Sequence, residues 1–168
     1  VRDHYGIIIV PLTLVKEGEE FQFTSTEGFD YDEYYRKLKE GMTVSTSQIN
    51  PDQFTRCFEP ILKDGEDILY IGLSGGGTGS VSSAKIAASD LLEEFPDRKI
   101  KIVDSLGASL GEGILVVEAA QCRDKGMSVE EVADRIDFQK YCIYQVFVVD
   151  DLKHLKRTGR ICGALASL

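Results

Sequence analysis

Asp67-Ile-Leu-Tyr-Ile-Gly-Leu-Ser-Gly-Gly-Gly-Thr-Gly-Ser80 passes from an apolar run into a tract of glycines and hydroxyls, and a helix-like run begins at Val81. The apolar part, bounded by Asp67 and the glycines, predicts a strand over 67–73. The tract after it predicts a tight turn that delivers the chain to a helix N-terminus. At such a junction several backbone N–H groups and the positive end of the helix dipole converge on one point, which suits an anion, either phosphate or carboxylate.

Downstream, residues 81–95 read as a helix ending before Pro96, and Lys99-Ile-Lys-Ile-Val-Asp104 reads as a second strand. A helix over about 110–125 closes at Gly126, and Ser128-Val-Glu-Glu131 is a capping box opening a helix over 129–138. Tyr141-Cys-Ile-Tyr-Gln-Val-Phe-Val-Val149 predicts a further buried strand. Upstream, Asn50-Pro51 opens a helix with an apolar stripe of Phe54, Cys57, Phe58, Ile61 and Leu62; Pro60 is expected to kink or loosen its end. Asp30 caps a helix stopped by Gly41, while residues 42–49, rich in Ser and Thr without helical period, predict an exposed loop. Near the N-terminus a strand over 6–15, with Pro11 at an edge or a break, turns at Gly18 into a return strand from Glu20. The order helix, strand, helix, strand, helix, helix, strand implies an α/β fold: a parallel sheet with helices on both faces.

The 168 residues are 43% hydrophobic and 28% charged, ordinary values for a globular chain. A net charge of −9 argues against nucleic acid as a partner, since such binding needs Lys and Arg against phosphates. No apolar run approaches the roughly 18 residues of a bilayer span. The first residues lack a signal-peptide core and a Met, so the chain is expected to begin inside a longer one. Cys57, Cys122, Cys142 and Cys162 have neither zinc-site nor redox-motif spacing; they are read as incidental thiols in a reducing, cytoplasmic setting.

In an open parallel sheet, ligands sit beyond the carboxyl ends of the strands. The Ser74–Ser80 tract, Asp104-Ser105 and Asp150-Asp151 fall at such ends, and Thr46-Ser47-Gln48 is placed to join them. A phosphate-binding loop of the P-loop kind needs a Lys, and none lies between Lys63 and Lys85; Ser80 stands where the dinucleotide fingerprint needs its last glycine. Gly75-Gly-Gly-Thr-Gly-Ser80 does resemble the glycine-rich loop of tubulin-like GTPases, although Val81 replaces that loop's next glycine, so a nucleotide-binding enzyme or switch stays open as the alternative. Catalysis has little support. His4 and His154 read as surface residues, and Glu93-Glu94, Glu130-Glu131 and Asp150-Asp151 as caps or solvated faces. No catalytic residue, metal or cofactor is expected. Hydroxyls and amides remain, a set suited to holding a carboxylate without transforming it.

Five motifs in order, Thr46-Ser-Gln48, the Ser74–Ser80 tract with Ser83-Ala84, Val103-Asp-Ser105 with Gly111-Glu-Gly113, Val149-Asp-Asp-Leu152, and Leu155-Lys-Arg-Thr-Gly-Arg-Ile161, resemble the DegV family of bacterial fatty-acid-binding proteins. The resemblance implies a non-enzymatic carrier that encloses one long-chain fatty acid (C14–C18). It would present the carboxylate to a separate ATP-dependent fatty acid kinase, which makes acyl phosphate for phospholipid synthesis. It implies that Thr46 and Thr78 hold the carboxylate, with Ser47, Ser74, Gly77 and Gly79 in the same site, and that Arg160 serves the interaction with the kinase. The chain departs from the family pattern at Gly75, Gly77 and Thr78 in the loop and at Thr158 and Cys162 beyond it. The family pattern also has an earlier strand and a second lobe supplying much of the tunnel. Residues 1–168 are therefore expected to form a partial DegV domain, the carboxylate-binding lobe with the start of the second domain.

Overall fold

A computed structural model describes residues 1–16, 18–23, 29–148 and 155. In chain order the elements are α1 (Arg2–Tyr5), β1 (Leu12–Lys16), β2 (Glu19–Phe23), α2 (Tyr31–Lys39), β3 (Val44–Ser47), α3 (Pro51–Lys63), β4 (Ile68–Gly72), α4 (Ser80–Glu94), β5 (Ile100–Asp104), α5 (Leu110–Asp124) and α6 (Val129–Gln139), then a 3₁₀ turn at Lys140–Cys142.

The helix starts follow their capping chemistry. Asp30 accepts the Glu33 N–H at the head of α2. Asn50 and Gln53 form a reciprocal capping box on α3, with Pro51 in the first turn, and Ser128 and Glu131 do the same on α6. Gly41, Gly65 and Gly126 take positive φ just past α2, α3 and α5, where a side chain would be strained. Pro60 does not end α3, which runs three residues further. Its missing N–H costs the bond that the Arg56 carbonyl would otherwise accept, and the helix continues past it nonetheless.

β4 and β5 pair in parallel, Ile68 opposite Ile100 through Gly72 opposite Asp104. Successive side chains of a strand face opposite ways, so each strand feeds two cores. Ile68, Tyr70, Ile100 and Ile102 meet Phe54, Phe58 and Leu62 of α3 and Ala84, Ala87, Ala88 and Leu91 of α4. Leu69, Ile71 and Val103 meet Leu115, Ala119 and Cys122 of α5 and Val132 and Ile136 of α6. This is the expected arrangement of a mixed α/β protein: a parallel pair with helices on both faces. Phe54, fully buried, anchors the first core with its ring 5.0 Å from Tyr70 and 5.5 Å from Phe58.

Three readings need correction. The first strand begins only after Pro11, whose lack of an N–H marks the break, and residues 2–5 form a short helix closed by Gly6 in the left-handed region. The Ser/Thr-rich segment is not all loop: β3 pairs antiparallel with β1, Thr46 opposite Leu14, giving a second sheet ordered β2-β1-β3. Val, Ser and Thr are compatible with a sheet edge, and β1 supplies the partner that a lone segment lacks. Finally, residues 143–148 form no strand ladder. Tyr144, Phe147 and Val148 are more than four-fifths exposed, and Ile143 alone of the run packs on the α5–α6 core. An apolar β-branched run becomes a buried strand only with a neighbour to pair with, and none stands beside it among the described residues.

Candidate functional site

The carboxyl ends of β4 and β5 lie side by side, so the loops leaving them meet. Gly72 stays a glycine for a packing reason: a Cβ there would stand 2.8 Å from the Tyr70 ring and 3.0 Å from Val81. Beyond it, Ser74 N–H donates to Gly107 carbonyl at 2.9 Å, and Gly75 N–H reaches both carboxylate oxygens of Asp104 at 3.2 and 3.1 Å. Gly76 N–H donates to Ser74 Oγ and Gly77 N–H to Ser74 carbonyl. The β5–α5 loop is equally tied down. Asp104 accepts Leu106 N–H at 3.0 Å, and the buried Ser105 hydroxyl exchanges bonds with the Gly107 backbone. Leu106 and Ser109 sit at φ 53° and 50°, a left-handed conformation that costs a non-glycine residue of order 1–3 kcal/mol and is held by such ties. Gln145 reaches in from the segment after α6, its Oε1 accepting Ala108 N–H at 3.1 Å.

The amides of Ser74 through Gly77 are thus engaged within the protein, which leaves the second half of the tract, at the head of α4, as the candidate anion site. α4 starts at Ser80 behind Gly79, which offers no capping side chain. Thr78 Oγ1 lies 3.0 Å from Ser80 Oγ and accepts Ser80 N–H at 3.3 Å. The stretch leaving β3 closes on the same turn: Ile49 N–H donates to Ser80 Oγ at 3.3 Å, and Gln48 Nε2 points to Ser83 Oγ at 3.4 Å. Gly79 is glycine because Gln48 covers it; a Cβ there would stand 2.9 Å from Gln48 Cδ and Nε2 and closer still to Oε1.

The expected site residues therefore divide. Thr78 and Gly79 sit at the head of α4. Thr46 and Ser47 are exposed at the end of β3, in the segment whose next two residues grip that head. Ser74 and Gly77 form the internal framework of the loop. Arg160 lies outside the described residues. Ser80 and Ser83, buried hydroxyls in the first turn of α4, were not singled out as site residues from the sequence. Their signal was the Ser-rich opening of a helix whose other inward positions are apolar. Gln145 gave no signal at all.

Burial shapes the charge around the loop. The Tyr70 phenol, beneath Gly72, is pushed up to about 12 by burial, with the Glu112 charge adding to it. Burial also holds the Glu112 carboxyl above its ordinary range. Exposed apolar side chains stand at the same end of the sheet: Leu73 follows β4, Leu106 follows β5, and Leu110, 85% exposed, opens α5.

The chain matches, over residues 1–168, the family described as uncharacterised proteins of the DegV family. It is 43% identical over 135 residues to a DegV domain-containing protein of Clostridium perfringens, 80% of this chain and 46% of that one. It is 37% identical over 166 residues to the DegV domain-containing protein YteA of Lactococcus lactis, 99% of this chain and 57% of that one. The chain spans about half the length of these curated relatives. Among solved structures, a fatty-acid-binding DegV family protein of Thermus thermophilus superposes with TM-score 0.80 at 34% identity, over 100% of this chain and 58% of that chain. The Streptococcus pneumoniae fatty acid kinase B3 protein loaded with linoleic acid superposes with TM-score 0.77 at 26% identity, over 94% of this chain and 54% of that chain. No helix among the described residues is long and apolar enough to cross a membrane. With the whole chain matched and the strand–loop–helix junction in place, the protein is a member of the DegV family.

Proposed function

We propose that this protein holds a long-chain fatty acid (C14–C18) by its carboxylate at the head of α4 and presents it, unaltered, to an ATP-dependent fatty acid kinase in the cytoplasm, for acyl-phosphate formation in phospholipid synthesis. The observation that carries this reading is the Thr78 hydroxyl at an α4 N-terminus without a capping side chain, joined through Ile49 and Gln48 to the segment bearing Thr46. Thr46 and Thr78 each donate one O–H, and the first turn of α4 adds main-chain donors and the dipole. Ser47 and Gly79 border the same corner, and Ser74 and Gly77 belong to the site as the framework that holds the loop. Hydrogen bonds to an ionised carboxylate contribute about 1.5–3 kcal/mol each. Burial of the acyl chain at roughly 0.8 kcal/mol per CH₂ supplies most of the affinity, and the exposed Leu73, Leu106 and Leu110 are the apolar surface the tail first meets. The protein needs no cofactor for this task; the fatty acid is its ligand, and Arg160 is its contact for the kinase.

Asp104 argues against a nucleotide at the same loop. Its carboxylate already occupies the Gly75 amide, so a polyphosphate would meet a fixed negative charge where a phosphate-binding loop has a lysine. The test is mass spectrometry of solvent extracts of the purified full-length protein. A released C14–C18 fatty acid is expected; bound GTP or ATP with no fatty acid would overturn the reading.

A further inference from the structure

The geometry points to Ser80 as a positioning residue that fixes Thr78 as a hydrogen-bond donor toward an anionic head group. This rests on the carboxylate reading above and extends it to a residue that touches no ligand itself.

Ser80 is buried, so its hydroxyl proton needs an acceptor within the protein. Of the two neighbours of Ser80 Oγ, Ile49 N–H at 3.3 Å is a donor and leaves that proton unsatisfied. The other neighbour is Thr78 Oγ1 at 3.0 Å, which becomes the acceptor. Thr78 Oγ1 also accepts Ser80 N–H at 3.3 Å. A hydroxyl oxygen has two lone pairs, and both are then occupied. Thr78 has only its own O–H left to offer, and it must offer it outward, because its two inward positions are filled. A hydroxyl so placed greets a carboxylate and has no lone pair for a donor-bearing head group. Ser80 O–H donation also polarises the Thr78 hydroxyl in the same direction. Because Ser80 takes the Ile49 amide as well, it joins the Thr46 segment and the Thr78 loop in one network.

The experiment measures binding of palmitate and of hexadecanol to the full-length protein and its variants by calorimetry, with thermal melts to verify folding. Ser80→Ala is expected to weaken palmitate about tenfold, the effect of freeing one rotor at the contact, and hexadecanol by less than about twofold. The near-isosteric pair Ser80→Thr and Ser80→Val separates hydroxyl from packing. Thr should retain palmitate affinity within about threefold, and Val should lose it as Ala does. Ser89→Ala, exposed on the same helix, should change nothing. Equal losses for both ligands, or unchanged palmitate affinity in Ser80→Ala, would overturn the role of Ser80 while leaving the carboxylate reading standing. Failure of the wild-type protein to bind palmitate would overturn both.

Discussion

Single atoms decide what the glycine-rich tract can hold. Its first amides are engaged by Asp104 and by Ser74, so a ligand is directed to Thr78 and the first turn of α4. On the proposed reading, removing either threonine hydroxyl deletes a hydrogen bond to the carboxylate. The double variant Thr46→Ala with Thr78→Ala should stay folded and weaken palmitate binding by about 3 kcal/mol or more, with its stability lowered by about 1–3 kcal/mol because the buried Ser80 hydroxyl loses its acceptor; titration calorimetry and a melt check both. Gly79 tests the packing of the same corner. Gly79→Ala should destabilise the fold by about 1 kcal/mol, and adding Gln48→Ala should recover much of that, because the obstruction is the far end of Gln48 rather than backbone. A double-mutant cycle in denaturant reads the coupling. The Thr-Ser-Gln string and the glycine tract were legible as a pair from the sequence. The hydroxyl relay between them was not, because it depends on which serine of α4's opening turns inward.

Elements follow local rules wherever a partner is near and depart from them where it is distant. The caps at Asp30, Asn50 and Ser128 and the helix-closing glycines are visible in the sequence because each acts within one turn. Whether residues 44–47 form a strand depends on β1, some thirty residues earlier, and no local signal carries that. The run after α6 errs the other way, with strand composition but no ladder. Phe54 joins α3 to β4, and Phe54→Ala should cost about 3–5 kcal/mol by chemical denaturation, since the ring is wholly enclosed. Glu112 on α5 gives a pH signature. Burial holds its folded-state pKa above the ordinary 4.5, so the carboxyl is a weaker acid when folded and the unfolded chain ionises first. The stabilising contribution is present at low pH and is lost as pH rises through the raised value. Glu112→Gln should therefore raise the melting temperature at pH 7 and change it little at pH 3.5.

Across the molecule, the parallel pair packs a core on each face and places hydroxyls, amides and the exposed Leu73, Leu106 and Leu110 at one end of its strands. The proposed presentation to a kinase adds a requirement at this scale, since it assigns head-group binding and partner docking to different residues. Arg160→Ala should lower acyl-phosphate formation in the presence of the kinase and ATP by about tenfold while leaving palmitate affinity unchanged; a coupled assay beside calorimetry separates the two. A crystal structure of the full-length protein with palmitate decides whether the carboxylate is gripped at the head of α4. Carboxylate oxygens are expected within about 2.5–3.2 Å of the Thr46 and Thr78 hydroxyls, with the acyl chain leading away over Leu73 and Leu106. A carboxylate bound away from both threonines would contradict the carboxylate reading.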